Sequence, residues 1–550
     1  MLNRIAIIEA VVRAFPGVAV VTAFTKTGEV IHGGITVREE GYLLPFAVEI
    51  YPQYPFQFHG SETIRFINKE LLPYDHVNAD GSVCVHTLHH PEIAQKLQLD
   101  LNGLCHWMLK CYISREADSH YEHIIVNPQP VNGEKRVFLF SEVDHRFKKG
   151  DFGHFGYSMI GKGRWKEQPI VTAIIQWLSI KNRTVRCDWS DNYRQLAIKE
   201  GLFYFNDSPP VENGRFAAGN FLALEDYFSQ EFLRFLDTAS KHPSVSADAG
   251  GHLPVLLGYP TRGTEIHWQT ILIPHSEFPS YGQKIPGTTI WMGKLKDQPV
   301  LWAQTSDSSY RSFFGRGGFH PSITKANILI LGIGAIGSIV AKTLVRGGVR
   351  KITLVDHDIK EPENVCRGEY HFLPGLTAKV NELSTDLVAL SPFVDVKTSE
   401  TLTDFFKVVI NGGDSDWAGP IKRHLDEFEI IFDCTTDNDM AYLLDKIGLK
   451  SDIYCLSITN HARKLICGVK ENLYRWLGQT LPALEDRPDD LYKPTGCWSP
   501  TFKASYNDIC LLTQAALRHI NGCYERAKPP RPFYLGYMDE DSVDIKLQEC

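Results

Sequence analysis

Residues 328–370 read ILILGIGAIGSIVAKTLVRGGVRKITLVDHDIKEPENVCRGEY. The apolar run Ile328 to Leu331 has strand character, and after Gly332-Ile333-Gly334-Ala335-Ile336-Gly337 the apolar period becomes helical. That strand-to-helix context is what gives a GxGxxG pattern meaning as a nucleotide loop. Its glycines let the backbone approach a phosphate at a helix N-terminus, and Asp356, at the end of the next strand, is placed to bind ribose hydroxyls. Gly332, Gly334, Gly337 and Asp356 are therefore candidate nucleotide-binding residues. The residues after Asp356 separate a dinucleotide from a triphosphate. The order Asp356, Asp358, Asn364, Arg367, Lys379 brings two cations and an amide to the phosphate loop. They suit a triphosphate and its transition state, whereas hydride transfer needs no such charge.

Working outward, residues 306–550 alternate strands and helices: NILIL, a helix after Gly337, KITLV, a helix from Thr377 to Leu390, VDVKTS, EIIFDC and YCLSI. The alternation predicts a doubly wound, mostly parallel, Rossmann-like α/β sheet. Phe432-Asp433-Cys434-Thr435-Thr436-Asp437-Asn438 follows a later strand and offers a carboxylate at the carboxyl edge of the sheet for Mg²⁺.

Residues 1–150 have a different pattern. An amphipathic helix precedes short alternating strands, Val18 to Thr25, Val30 to Val37 and Tyr42 to Ile50, joined by turn-like KTGE and REEG. A proline segment YPQYPFQF, a polar loop YDHVNADGSVCVH and an apolar helix from Leu99 to Ile113 follow. This order predicts a compact α+β domain. Residues 151–305 carry weaker signals, chiefly an amphipathic helix at Phe221 to Ser240 among Pro- and Gly-rich stretches, and are expected to form a connecting α/β domain.

A chain of 550 residues fits about two to four domains. Its net charge of -8 gives no reason to expect nucleic acid as a partner. Arg4, Glu9 and Arg13 break the apolar start of the chain, so it is not expected to be a signal peptide, and no segment is long and apolar enough to span a bilayer. Twelve cysteines without a CxxC pair argue against a zinc site or a disulfide scaffold and leave the cytoplasm as the expected compartment.

Those cysteines can be sorted for nucleophiles, since a working thiol needs an exposed, polar or electropositive loop. Cys434 and Cys455 lie in or beside apolar strands and Cys105, Cys111 and Cys510 on apolar helices, while Cys187 and Cys467 flank apolar runs. Cys84 stands apart in the polar loop Tyr74-Asp75-His76-Val77-Asn78-Ala79-Asp80-Gly81-Ser82-Val83-Cys84, where the Asn78 amide is a candidate donor to the oxyanion formed when an amine attacks a thioester. Cys497, in PTGCWSPT, is kept out of helix and strand by the Gly and Pro around it.

The order GxGxxG, DxD, NxxR, Lys and a CTDN-like turn resembles the ThiF/MoeB/ubiquitin-activating superfamily, which adenylates protein C-termini with ATP and Mg²⁺. The resemblance implies that Asp356 holds the ribose, that Asn364, Arg367 and Lys379 contact the phosphates, and that Asp437 holds the metal. The turn here reads CTTDN, which makes Asp433 an alternative, and Gly368 stands where the family usually has Gln. Arg311 and Arg316 are both candidates for the arginine that a partner subunit contributes in this family. At the other end, GSVC preceded by HVN and YPQYP resembles the ubiquitin-conjugating fold, with Cys84 as nucleophile and Asn78 as oxyanion donor. Val77 replaces the usual proline there, and the loop is two residues shorter.

Together the two ends resemble the activating and conjugating fusions of bacterial CBASS antiphage operons. That resemblance implies adenylation of the C-terminus of a protein partner, a cGAS-like nucleotidyltransferase or ubiquitin-like protein. Thioester transfer to Cys497, the late-segment thiol, and then to Cys84 would follow, with final transfer to an amine such as lysine on a target. It also implies a homodimer. Two other classes compete: a sulfur-carrier adenylyltransferase of ThiF/MoeB type, which would need only residues 306–550, and a noncatalytic scaffold with degenerate sites.

Overall fold

The computed structural model describes residues 4–116, 124–181, 183–239, 251–261, 265–288, 291–373, 375–399, 418–484, 493–494, 500–501, 503–538 and 544–549. The chain divides into two compact units, one of Met1–Leu139, His145–Val185 and Lys199–Ser306, the other of Phe140–Asp144, Arg186–Ile198 and Asp307–Cys550.

The first unit opens with helix Arg4–Ala14, which buries Ile8, Val11 and Val12. Their i, i+3, i+4 spacing makes one apolar face. Strands Val18–Thr27, Val30–Glu39, Tyr42–Ile50 and Ile64–Ile67 then pair antiparallel in chain order, the meander expected from the turn signals. The helix expected from Leu99 begins six residues earlier, spanning Ile93–Trp107 with a wider turn over Met108–Ile113. Lys96 and Asp100 account for the difference. They sit one turn apart on the buried face, 1% and 0% exposed, and interrupt the apolar period although they belong to the core. Their charges meet at 2.5 Å, and Asp100 also accepts from Tyr54 and Thr87.

The rest of this unit, where a connecting α/β domain is expected for 151–305, is built on a mixed sheet accompanied by helix Gln230–Ala239. Strands His252–Pro260 and Ile266–Pro274 pair antiparallel, as do Phe152–Trp165 and Gln168–Ile180, whereas His252–Pro260 runs parallel to Lys199–Phe205. Lys135–Phe140, counted by pattern with the first 150 residues, pairs parallel with Gln168–Ile180 and so belongs to this sheet. Leu253–Tyr259 is buried on both faces, which replaces alternation with a continuous apolar run and hides the strand from pattern reading. The helix expected over Phe221 to Ser240 is shorter, Gln230–Ala239. The Ser229 hydroxyl accepts from the Phe232 amide and starts it, while Leu222–Leu224 forms a separate 3₁₀ turn.

The second unit holds an eight-stranded sheet in the order Asp395–Ser399, Lys351–Val355, Asn327–Leu331, Ile430–Asp433, Asp452–Ile458, Lys464–Val469, Phe533–Tyr537, Ile545–Glu549. The first five are parallel, as expected, and the last three add on antiparallel. Asn327–Leu331 lies between Lys351–Val355 and Ile430–Asp433, so strand order reverses there and opens a crevice at the carboxyl ends of the strands. Helix Ala335–Arg346 leaves that crevice, and Tyr506–Glu525 packs on it through Gln514 and Thr343 at 2.6 Å.

Asp100 is expected to hold the first unit together. Asp100→Ala strands the buried Lys96 charge and should cost about 3–5 kcal/mol, whereas Lys96→Met with Asp100→Leu should recover most of it, read by denaturant unfolding of the full chain.

Candidate functional site

Each glycine of the 332–337 loop answers a different constraint. Gly332 has φ +73°, and a Cβ there would lie 2.9 Å from the backbone of Thr435. A Cβ at Gly337 would fall 2.0 Å from the Gly332 carbonyl oxygen, so only glycine lets the helix turn this close to its own strand. Gly334, by contrast, faces open space, with no atom within 4 Å of its Cβ position. It caps the N-terminus of Ala335–Arg346, where backbone N–H groups and the helix dipole favour an anion.

The loop is tied to the charged residues by a connected series of bonds. Asp356 is 7% exposed; one carboxylate oxygen accepts from the Ile333 amide at 2.9 Å and the other from the Asp358 amide at 2.9 Å. Asp358 in turn pairs with the buried Lys379 at 2.9 Å. Asp356 thus organises the loop with one lone pair on each oxygen while the others can accept from hydroxyls. From the far side, the Tyr370 hydroxyl donates to the Ile333 carbonyl. Burial, with Asp356 next in effect, drives that phenol well above its usual range and keeps it a donor.

Arg367 lies on a segment docked on the loop helix. The Glu369 amide donates to the Ser338 hydroxyl at 3.1 Å, and a Cβ at Gly368 would meet that hydroxyl at 3.0 Å and the Tyr370 ring at 3.2 Å. Gly368 therefore stands where a longer side chain would push the segment off Ser338. Asn364 caps the short helix Pro362–Val365, its Oδ1 accepting from the Glu361 amide at 2.8 Å, so its NH₂ remains the donor end. Arg311 and Arg316 are exposed.

The two aspartates of the 432–438 turn differ in kind. Asp433 is fully buried; one oxygen accepts from the Thr435 amide and hydroxyl and the other from the Cys455 thiol at 3.1 Å. Burial raises its pKa despite those bonds. Asp437 is exposed and caps helix Asn438–Lys446 through the Asp439 amide at 2.8 Å. His357, Asp356 and Asp358 form a second group whose ligand atoms lie within 4.8 Å of one another. Exposed carboxylates such as Asp437 and Asp358 are the hard oxygen donors that Mg²⁺ takes.

Two buried ammonium groups, with three carboxylate partners between them, brace the site. Lys360 pairs with Glu382 at 2.5 Å, their side chains 2% and 6% exposed, and Lys342 on the loop helix meets Asp386 at 2.8 Å and Glu369 at 3.3 Å. Sequence reading passed over Ser338, Tyr370, Lys360 and Glu382, because their partners are far away in the chain. Asp358 alone had a local signal, the DxD spacing.

Of the thiols, Cys187, Cys455 and Cys467 are buried, and burial pushes Cys187 up to about 12. Cys105 is likewise pushed up to about 12 by burial and by Glu39. Cys366, not singled out by pattern, is exposed beside Arg367 and donates to the Glu363 carbonyl. Cys84 is half-buried; its amide donates to the His76 carbonyl at 2.7 Å, and its sulfur lies 3.2 Å from His86 Nε2. Asn78 donates its side-chain amide to Ser82 Oγ at 3.0 Å, so in this state the amide serves the turn. Cys497 lies outside the described residues.

Residues 309–471 match the model of the ThiF family, and this part of the chain is a ThiF-type domain of Rossmann-like α/β architecture. The ATP-dependent ubiquitin transferase-like protein Cap2 of Enterobacter hormaechei subsp. hoffmannii is 23% identical over 319 residues, 54% of this chain and 51% of Cap2. The uncharacterized protein y4oA of Sinorhizobium fredii is 23% identical over 224 residues, 36% of each chain. The matches thus span about half or less of the length of these relatives. Among solved structures, E. coli MccB with MccA aligns at 14% identity and a TM-score of 0.29, covering 41% of this chain and 64% of that one. PaaA aligns at the same identity and TM-score over 44% of this chain and 66% of that one. Among the described residues no helix is long and apolar enough to cross a membrane.

The Lys360–Glu382 pair sets an acid limit. Burial opposes ionisation of Glu382, but the His371 amide, Lys360 and Thr377 outweigh it and hold the carboxyl below its usual value of 4.5. Stability from this group is therefore complete above about pH 4.5 and is lost as pH falls through the lowered native value. Glu382→Gln should be less stable at pH 7 and lose less between pH 5 and 3 than the wild type, read by urea unfolding of the full chain.

Proposed function

We propose that the chain activates the C-terminal carboxylate of a protein with ATP. The acyl group then passes as a thioester to Cys497, next to Cys84, and finally to an amine on a target. The observation that carries the reading is the loop around Gly334: an open helix N-terminus tied through Asp356 and Asp358 to Lys379, with Arg367 on the segment packed against Ser338. Cationic groups at a phosphate loop suit a triphosphate more than a dinucleotide. The ThiF match and the likeness to Cap2 support the same class.

In this reading Asp356 accepts from the ribose hydroxyls with its remaining lone pairs, and Gly334 lets the phosphates approach the backbone. Lys379, Arg367 and the Asn364 amide offset negative charge on the phosphates. Bound Mg²⁺ would screen the triphosphate, and Asp437 is the residue we assign to it, because Asp433 is buried with both oxygens engaged. Activation converts a carboxylate oxygen, a poor leaving group, into AMP, which a thiolate can displace.

The helix, meander, loop and helix at the N-terminus, with Cys84 half-exposed in its polar loop, support a conjugating role for that part. Likeness to Cap2 and to CBASS fusions makes a cGAS-like nucleotidyltransferase or a ubiquitin-like protein the partner of this reading. A homodimer in which Arg311 or Arg316 reaches the partner's nucleotide, and a cytoplasmic setting, complete it.

ATP–pyrophosphate exchange with a candidate partner, followed by nonreducing gels, tests each stage. Gly334→Val should keep the wild-type circular dichroism and lose exchange, and Lys379→Ala should lower exchange by about 10²-fold or more. Cys497→Ala should keep exchange and abolish the DTT-sensitive adduct, while Cys84→Ala should trap the adduct on Cys497. Exchange with no thiol adduct in the wild type would indicate a sulfur-carrier adenylyltransferase, and absence of exchange with every partner tried would indicate a scaffold.

A further inference from the structure

The segment after Cys84 is built more rigidly than an exposed loop requires. Val83 and Val85 point inward, 5% and 9% exposed, so the alternation of an extended chain turns Cys84 and His86 to the opposite face. There Cys84 Sγ and His86 Nε2 are 3.2 Å apart. Thr87 points inward again, donating to Asp100 at 2.5 Å and accepting from Lys96 at 2.7 Å. Both partners are on helix Ile93–Trp107. That helix presses its backbone on the segment, since a Cβ at Gly103 would lie 2.6 Å from Val85 and 2.8 Å from Thr87. On the other side the Cys84 amide is bonded to His76 and the Val83 amide to Phe66. The Cys84–His86 geometry is thus clamped from both neighbours.

We propose that His86 is the proton acceptor for chemistry at Cys84, and that Thr87, held by the buried Lys96–Asp100 pair, is the positioning group that keeps it there. The proposal rests on Cys84 being the acyl carrier. In loading, the Cys84 thiol proton passes to His86 Nε2 and the thiolate attacks the incoming thioester carbonyl. The bond to Cys84 sulfur forms, the bond to the donor sulfur breaks, and the departing thiolate takes the proton from His86. In discharge, an amine nitrogen attacks the Cys84 thioester, its proton goes to His86 Nε2, and Cys84 leaves as thiolate. Imidazole suits both steps because it exchanges a proton near neutral pH. Asn78, whose amide donates to Ser82, is an oxyanion-donor candidate and takes no part in this proton transfer. The ionisable groups on the packed elements include Lys96, paired with Asp100 and Glu62, and His106 on the helix, Arg65, paired with Asp80, and Asp75 and His76 in the adjoining turn.

The test reads the thiol itself, without ATP, partner or acyl group. Iodoacetamide labelling of the full chain is followed from pH 5.5 to 10 by mass spectrometry of the peptide containing Cys84. His86 is exposed, so His86→Gln should fold normally. It should slow Cys84 labelling at pH 6.5–7 at least ~5-fold and leave the rate above pH 9.5 unchanged, as an ordinary thiol is only a few per cent thiolate at neutral pH. Thr87→Val should slow it part of the way, and imidazole added to His86→Ala should restore it. Superimposable profiles for wild type and His86→Gln would overturn the pairing; an unchanged profile for Thr87→Val would overturn the positioning role. A wild type that shows the expected profile yet never forms a Cys84 thioester with ATP and partner would overturn the proposed function and leave the pair intact.

Discussion

The C-terminal unit depends on one close approach. The carbonyl oxygen of Gly332 lies where any side chain at position 337 would have to project, so strand and helix are joined with almost no intervening space. This tightness points the first turn of Ala335–Arg346 into the crevice between two parallel strands and leaves Gly334 facing outward. It also makes the loop too short to hold itself. Ile333 is fastened from both sides, its amide to Asp356 and its carbonyl to Tyr370. Through Asp356 the same fastening passes to Asp358 and Lys379, so the residues that could meet a phosphate are oriented by those that shape the loop.

Buried charge is the second recurring constraint. Lys360 with Glu382, Lys342 with Asp386 and Glu369, and Lys96 with Asp100 all hold ammonium groups out of water. Such pairs add little net stability because desolvation offsets their attraction. Their effect is geometric: an ammonium taken out of water must keep its partners, and those partners lie on different segments. Lys342 joins the loop helix to the Glu369 segment, Lys360 joins the 356–361 turn to helix Lys379–Leu390, and Lys96 joins a helix to the segment after Cys84. Each pair fixes a segment that carries candidate site residues to a rigid element.

The pattern of residues showed the strands Asn327–Leu331 and Lys351–Val355 and the loop between them because all the relevant contacts are local. The meander Val18 to Ile50 was equally legible, since its turns and alternation are adjacent in the chain. Helix Ile93–Trp107 was misplaced because two of its core residues are charged, and their neutralisation is visible only when paired. The middle sheet was missed for the converse reason: strands buried on both faces lose the alternation that identifies them. The glycine at position 368 has its reason in packing against Ser338, a residue thirty positions earlier in the chain.

The sequence by itself determined the nucleotide loop, its acidic and cationic followers and the short list of thiols, because glycine geometry and residue chemistry act over a few neighbours. Only the tertiary structure decided which carboxylate is available, since Asp433 and Asp437 differ in burial and partners and not in type. It also decided that Lys379 answers to Asp358, that Asn364 and Asn78 are partly spent on local turns, and that His86 stands beside Cys84. These are matters of which groups meet after the chain has closed on itself, where burial removes competing water and makes each contact exclusive.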